Sequence, residues 1–282
     1  MYWLLSSMAK MLSLFSFAKL EGMANALAFI CFDIFRVRRR VMLRNLKIAF
    51  GEDLNAQQRV KIARVAFSNF IQSVFEAFVC RKHPIDADVL VENAEILERE
   101  IAKEQGVYFL LCHMGNWEAM GAFMSHRFRP SYTAMKKVGS KGVNRYIENM
   151  RIGNDMHWIK REKKGEASRQ MAEILNRGEL VGFVMDQARP GEPRLPFFSK
   201  DAKTNTSLAA IWQKRPAPIV PAYFYRRGFG RHTLVINPPI TMRVTDDPKA
   251  DVIFNSKLFN HEVEKIVTRR PEHYFWFHNR WK

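Results

Sequence analysis

The chain reads as an α/β protein: a mostly parallel sheet flanked by helices, preceded by an apolar helical segment at the N-terminus. Three observations predict this. From Val107 onward, short apolar runs alternate with helical patterns, the signature of strands joined by crossover helices. A length of 282 residues with 47% hydrophobic content suffices for one sizeable core, with no repeat or low-complexity linker to divide it. The first 35 residues differ from the rest, being rich in Leu, Met, Phe and Ala. The expected organisation is an apolar segment over residues 1–35 and a single domain over 36–282.

Lys10, Lys19, Glu21 and Asp33 interrupt the N-terminal segment, so no charge-free stretch reaches the ~18–20 residues of a clean spanning helix. No small-residue cleavage site precedes a polar start, which argues against a signal peptide. Three arrangements fit: a tilted spanning helix, a helix in the membrane interface with its lysines reaching the headgroups, or a helical hairpin packed on the domain. Arg36, Arg38, Arg39, Arg40, Arg44 and Lys47 follow at once. Such a cluster beside an apolar segment favours the cytoplasmic side, and near an anionic surface each charge is worth about 1 kcal/mol. The segment is expected to associate with a membrane and the domain to face the cytoplasm.

Leu54 to Cys80 places Val60, Ala63, Phe67, Phe70, Val74 and Phe78 at helical spacing, with Asn55 and Gln57 at its start. Its aromatic stripe fits core packing, and Phe70, Phe75 and Phe78 also suit the wall of an apolar channel. Val107–Cys112, Tyr132–Lys137, Met156–Lys160, Leu180–Met185, Ile219–Tyr225 and Thr233–Ile236 read as strands. Helices near Trp117–Phe128, Gly142–Gly153, Ser168–Arg177, Ser207–Lys214 and Asp251–Arg269 separate most of them.

The formal charge of +17 predicts attraction to anionic partners without selecting among nucleic acid, a membrane surface, a phosphorylated glycolipid or an acidic carrier protein. No recognisable nucleic-acid motif is present. The three cysteines, Cys31, Cys80 and Cys112, lie in apolar surroundings with no metal-like spacing, which suggests reduced thiols.

The most informative stretch runs from Leu111 to Glu118. An apolar strand empties into a Gly-containing loop carrying His113, and Asn116 reads as the N-cap of a helix that opens Trp117-Glu118. The imidazole would sit at the carboxyl end of a strand, where open α/β sheets bind ligands. Glu118, in the first helical turn, would reach one ring nitrogen and leave the other as a general base. The same spacing also suits a core or capping histidine. Asp186 and Gln187 end a second buried strand and would lie on the same edge, to support the site or simply to start a turn. Arg151 and Arg161 are candidates for a phosphate or a developing oxyanion, and Lys136, Lys137, Arg189 and Arg194 for phosphate contacts as a group.

Together these segments resemble a known family. His113-Met114-Gly115-Asn116-Trp117-Glu118 is similar to the histidine–four residues–acid block of the lysophospholipid acyltransferase superfamily, in the form found in late (lauroyl/myristoyl) acyltransferases of lipid A biosynthesis. Further blocks follow in the family's order: Arg44-Asn45-Leu46 within a basic segment, Tyr132 to Lys137 with Asn144-Arg145-Tyr146 and Arg151, Asp186-Gln187 with Pro196-Phe197-Phe198, and the ending from Pro271 to Lys282. Ser199 and Ser207 depart from the pattern, standing where the family usually has Gly and a Gly-Pro step.

The resemblance implies a glycerolipid acyltransferase-like fold at the inner membrane, with the catalytic domain on the cytoplasmic face. The implied donor is an acyl-carrier-protein thioester, and the acceptor a hydroxyl of an anionic glycolipid, a Kdo-bearing lipid A precursor. His113 and Glu118 would be catalytic; Asn116, Arg151, Arg161, Asp186 and Gln187 would serve the oxyanion or the substrate. Another anionic glycolipid or a lysophospholipid is the alternative acceptor, and a non-catalytic basic membrane-binding protein is the alternative class.

No cofactor or metal is expected. A thioester is already activated, and no Gly-rich nucleotide loop precedes a helix. His261-Glu262-Val263-Glu264-Lys265 has Lys where a zinc-binding helix needs its second His. Cys112 should face away from His113, because successive strand residues point to opposite faces.

Overall fold

A computed structural model describes residues 1–80, 82–84, 86–134, 139–159, 165–187 and 191–282. Four helices come first: α1 (Tyr2–Leu12), α2 (Phe17–Phe29), α3 (Arg39–Phe50) and α4 (Ala56–Val79), with a π-helical turn, Ile30–Ile34, after α2. Then β1 (Asp88–Glu92), α5 (Ala94–Ile101), β2 (Val107–Leu111), α6 (Trp117–Arg127), β3 (Ser131–Ala134), α7 (Lys141–Ile152), β4 (His157–Ile159), α8 (Glu166–Asn176) and β5 (Leu180–Val184) alternate. The hairpin β6 (Arg194–Phe197) and β7 (Lys200–Lys203), helix α9 (Ser207–Lys214), strands β8 (Ile219–Gly228) and β9 (Arg231–Ile236), and helix α10 (Pro248–Arg269) complete the chain.

Seven strands form one sheet in the order β1-β9-β8-β2-β5-β3-β4, parallel throughout except for the β8–β9 pair. Strand β2 lies between β8 and β5 and reads as an unbroken apolar run because both of its faces are covered. Tyr108 and Leu110 enter the core on one face, Val107 and Phe109 the core on the other. Strand β1 lies at the sheet edge, with Val89 and Val91 packed inward and Leu90 exposed. Two inward apolar residues leave little pattern, and this strand is absent from the sequence expectation. The strands expected over Tyr132–Lys137 and Met156–Lys160 are found as Ser131–Ala134 and His157–Ile159; residues 135–137 and 160 lie outside the described set.

Helix α4 begins with a reciprocal cap, in which the Gln58 amide donates to Asn55 Oδ1 at 2.9 Å and the Asn55 amide to Gln58 Oε1 at 2.8 Å. Among the described residues it is the helix long and apolar enough to cross a membrane by length and composition. It carries a buried polar stripe, Asn69, Ser73 and Glu76, hydrogen-bonded to other parts of the protein. That stripe is the mark of a core helix.

Helices α1 and α2 lie on α4 and bury Ala9, Leu12, Leu20, Ala24 and Ala28; Phe32, in the π turn, enters the main core. Asp33 pairs with Arg64 of α4 at 2.8 Å. Trp3 on α1 and Leu14 in the turn after it are each left 78% exposed.

The C-terminal segment folds back onto the loop after β2. Gly115 N–H donates to His273 O and Phe275 N–H to His113 O, each at 2.9 Å. Helix α3 holds that segment in turn: Asn45 Nδ2 donates to Trp276 O at 2.9 Å and His278 O at 2.7 Å, while Arg44 bonds Asn279. Gly115 has φ +59°, and a Cβ there would lie 2.2 Å from Phe224 O of β8. Both the left-handed backbone and the close approach demand glycine. Gly115→Ala is therefore expected to cost at least about 2 kcal/mol of stability in urea unfolding. A variant as stable as the parent would show that the loop separates from β8 without penalty.

Candidate active site

The parallel register of β2 and β5 sets Leu111 opposite Val184. His113 and Asp186 each follow two residues later, so both arrive at the carboxyl edge of neighbouring strands. The Asp186 carboxylate accepts twice from His113, from Nδ1 at 2.7 Å and from the backbone N–H at 3.1 Å. The Asp186 side chain is buried, whereas the His113 ring retains some exposure.

This arrangement fixes the charges. Burial disfavours the His113 imidazolium, but Asp186, with Glu118 adding to it, outweighs burial and raises the imidazole pKa above its usual 6.5. Burial likewise resists ionisation of Asp186, yet His113, its backbone N–H and Arg280 hold the carboxyl below the usual range. The phenol of Tyr274 also bonds Asp186; burial, then that carboxylate, pushes it well above 10.0, so it stays protonated.

The partner expected for the ring was Glu118, and here the structure corrects the sequence reading. Asp186 occupies Nδ1, while Glu118 receives a two-pronged ion pair from Arg151 of α7, with Nε to Oε2 at 2.7 Å. A guanidinium fork matches a carboxylate geometrically, and this pair joins the first turn of α6 to the last turn of α7.

Asn116 is the helix cap that the sequence predicts. It caps α6, with Oδ1 accepting from Ala119 N–H at 3.1 Å, and its Nδ2 donates to Glu76 at 2.7 Å. Being 1% exposed, it has both polar ends turned into the protein and none toward a substrate. Gln187 stands beside the ring, its amide nitrogen 3.4 Å from His113 Nδ1.

Arg161, Lys136, Lys137 and Arg189 lie outside the described residues. Arg194 bonds Lys282 O at 2.6 Å, so its guanidinium is engaged at the hairpin. Of the three aromatic residues weighed for a channel, Phe70 reaches this region, stacking on Trp117 at 6.4 Å and meeting Phe275 at 5.4 Å. Trp117 and Phe275 both flank the His113 ring. Phe75 packs in a separate small cluster and Phe78 against Tyr146.

Burial, then Asp186, pushes the Cys112 thiol well above 9.0. Among the described residues no group of three His, Cys, Asp or Glu side chains is placed to hold a metal.

Glu76 and Arg226 escaped the sequence reading. Glu76 lies on the buried polar stripe of α4, and Arg226 ends the apolar run of β8. The available signal was the polar spacing Asn69, Ser73, Glu76 within an otherwise apolar helix.

Over residues 1–282 the chain matches the family described as bacterial lipid A biosynthesis acyltransferase. The chain belongs to that family. It is 25% identical over 260 residues to the lipid A biosynthesis palmitoleoyltransferase of Escherichia coli (strain K12), covering 87% of this chain and 79% of the relative. The lipid A biosynthesis lauroyltransferase of the same organism is 25% identical over 259 residues, with the same coverage of both chains. A lipid A biosynthesis acyltransferase of Shigella flexneri is 25% identical over 260 residues, again covering 87% and 79%. In this acyltransferase the imidazole of the family's histidine block thus leans on the aspartate of a later block.

If His113 acts as a base it must be unprotonated to accept a proton, so kcat/KM should rise with pH through a pKa above 6.5. Asp186→Asn removes the strongest support of the imidazolium and leaves burial in place. The ascending limb should then move to lower pH, with the plateau reduced ~10²–10⁴-fold. A limb that stays in place would dissociate Asp186 from the titrating group.

Proposed function

We propose that the protein transfers a fatty acyl group from an acyl-carrier-protein thioester to a hydroxyl of a Kdo-bearing lipid A precursor. The single observation that carries the chemistry is the His113–Asp186 bond at the open edge of the sheet. The relatives, described as lauroyl- and palmitoleoyltransferases of lipid A biosynthesis, support the substrate class.

With Nδ1–H given to Asp186, Nε2 of His113 takes the proton of the acceptor hydroxyl. The oxygen attacks the thioester carbonyl and forms a tetrahedral oxyanion. Collapse of that intermediate breaks the C–S bond, and the imidazolium returns its proton to the leaving thiolate. Arg151, oriented by Glu118, and the N-terminal end of α6 supply positive potential for the oxyanion. Glu118 serves catalysis through Arg151 and through its field at His113. Gln187 and Arg161 remain candidates for contact with the acceptor.

The N-terminal helices supply the membrane contact. Trp3, Leu4 and Met11 are exposed on α1, Leu14 in the turn after it, and Ile34 and Phe35 at the end of the π turn. Exposed Arg36, Arg38 and Arg40 border them. Exposed apolar side chains followed by exposed arginines suit shallow insertion into an anionic leaflet, with α1 and α2 lying in the interface. The corresponding site of action is the cytoplasmic face of the inner membrane.

The decisive assay incubates detergent-purified protein with acyl-carrier-protein donor and a Kdo-bearing lipid A precursor, and reads product mass by mass spectrometry. One added acyl group is expected, with ~10²–10⁴-fold loss in His113→Ala. A loss under about tenfold would remove His113 as the base. Separately, Trp3→Ser with Leu4→Ser should weaken binding to phosphatidylglycerol vesicles by more than about tenfold, since each inserted side chain contributes ~1.5–3 kcal/mol. Turnover of detergent-dispersed acceptor should persist. Unchanged vesicle binding would place the membrane contact elsewhere.

A further inference from the structure

Helix α4 turns three polar side chains, spaced four and then three residues apart, toward the elements that hold the loop His113–Asn116. Asn69 Nδ2 donates to Glu272 O at 2.8 Å, beside the segment that pairs with the loop. Ser73 Oγ accepts from Arg226 at 3.0 Å. Glu76 accepts from Asn116 Nδ2 at 2.7 Å, from Gly230 N–H at 2.6 Å and from both terminal nitrogens of Arg226. One carboxylate thus joins α4, the cap of α6, strand β8 and the turn into β9. Glu76 is 4% exposed and Arg226 8%.

A buried ion pair is a poor source of stability. Desolvation offsets most of the attraction, and well-packed apolar residues often serve as well or better. What such a pair does supply is direction. A carboxylate accepts and never donates, so it dictates which end of the Asn116 amide faces it. Nδ2 must point at Glu76, and Oδ1 is then left to cap Ala119 N–H. Burial resists ionisation of Glu76, but Arg226 and His232 overcome it and hold the carboxyl far below the usual range. The accepting character therefore persists at any working pH.

We infer that Glu76 is a positioning residue for acyl transfer: its bond to Asn116, braced by Arg226, sets the place of the His113 loop from helix α4. This rests on the reading of His113 as the base. The loop is otherwise held by Asp186, by Phe275 N–H on His113 O and by Gly115 N–H on His273 O. Those ties end at Gly115; the next residue, Asn116, where the chain enters α6, is tied through its side chain to Glu76.

Asn116→Ser tests the bond while keeping a good helix cap, because serine can still accept from Ala119 N–H but cannot reach Glu76. Glu76→Gln tests it from the other side. The combination Glu76→Gln with Asn116→Asp reverses donor and acceptor across the same contact. Thermal unfolding gives the folded fraction, and kcat and KM are taken per folded molecule in detergent, with His113→Ala alongside.

Each single variant should lose ~10–100-fold in kcat with KM within about twofold of the parent, as expected for a misplaced catalytic group. The reversed pair should recover most of the loss suffered by Glu76→Gln. If kcat per folded molecule equals the parent's in Asn116→Ser, or if its loss merely follows the folded fraction, the inference fails. If Glu76→Gln does not fold, Asn116→Ser decides alone. Parent-like activity in His113→Ala would instead overturn the base, whereas an inactive His113→Ala beside active Asn116→Ser and Glu76→Gln would overturn only the positioning role.

Discussion

The site depends on one pairing, the parallel alignment of β2 with β5 that sets Leu111 beside Val184. Parallel strands run their carboxyl ends to the same edge, so residues equally far beyond a paired position arrive together. Asp186 needs no long reach to meet His113, and a short buried side chain makes a stiff partner. The bond to the backbone N–H of His113 adds a second tie, which locks the loop as well as the ring. A carboxylate that engages both fixes the tautomer and the position of the imidazole in one step.

The two ends of the sequence meet around this pairing. The C-terminal segment forms the wall behind His113, with Phe275 against the ring and Tyr274 on Asp186. That wall has little regular structure of its own, so its carbonyls need partners from elsewhere. Asn45 serves the carbonyls of Trp276 and His278, and Arg44 reaches Asn279. The basic block therefore has two jobs. Arg39 stacks over Phe32, 5.1 Å from the ring centroid, and Arg44 holds the tail, whereas Arg36, Arg38, Arg40 and Lys47 remain exposed toward whatever anionic surface the protein meets. Loss of the Asn45 side chain would loosen the wall behind His113 without touching the His113–Asp186 pair.

Much of this was legible because period alone reports burial. The strands of the main sheet after residue 107, the cap at Asn116 and the placement of His113 and Asp186 at strand ends all follow from local pattern. What local pattern could not supply is adjacency. Strand β5 follows β2 by some seventy residues, and nothing in either segment says that they are neighbours. Glu118 lies close in sequence to His113 and seemed its natural partner, but Arg151, donated by another helix, offers a two-pronged pair that a single imidazole nitrogen cannot match. The polar stripe of α4 was readable as spacing, and its meaning came only with the loops packed against it. Strand β1 and the β6–β7 hairpin, with few inward apolar residues, leave weak periodic signals.

The pairing of Glu118 with Arg151 also bears on how basic His113 becomes. Two unopposed carboxylates beside one imidazole would stabilise the imidazolium so strongly that the free base would become scarce near neutral pH, and proton abstraction would suffer. Asp186 alone supplies the orientation and most of the field, while Arg151 balances the second carboxylate. Burial opposes both carboxylates by disfavouring the imidazolium. The result is an imidazole raised above its ordinary value, with the Arg151 guanidinium held on the second carboxylate. On the proposed mechanism, one ion pair would both temper the base and supply the positive charge that the attack requires.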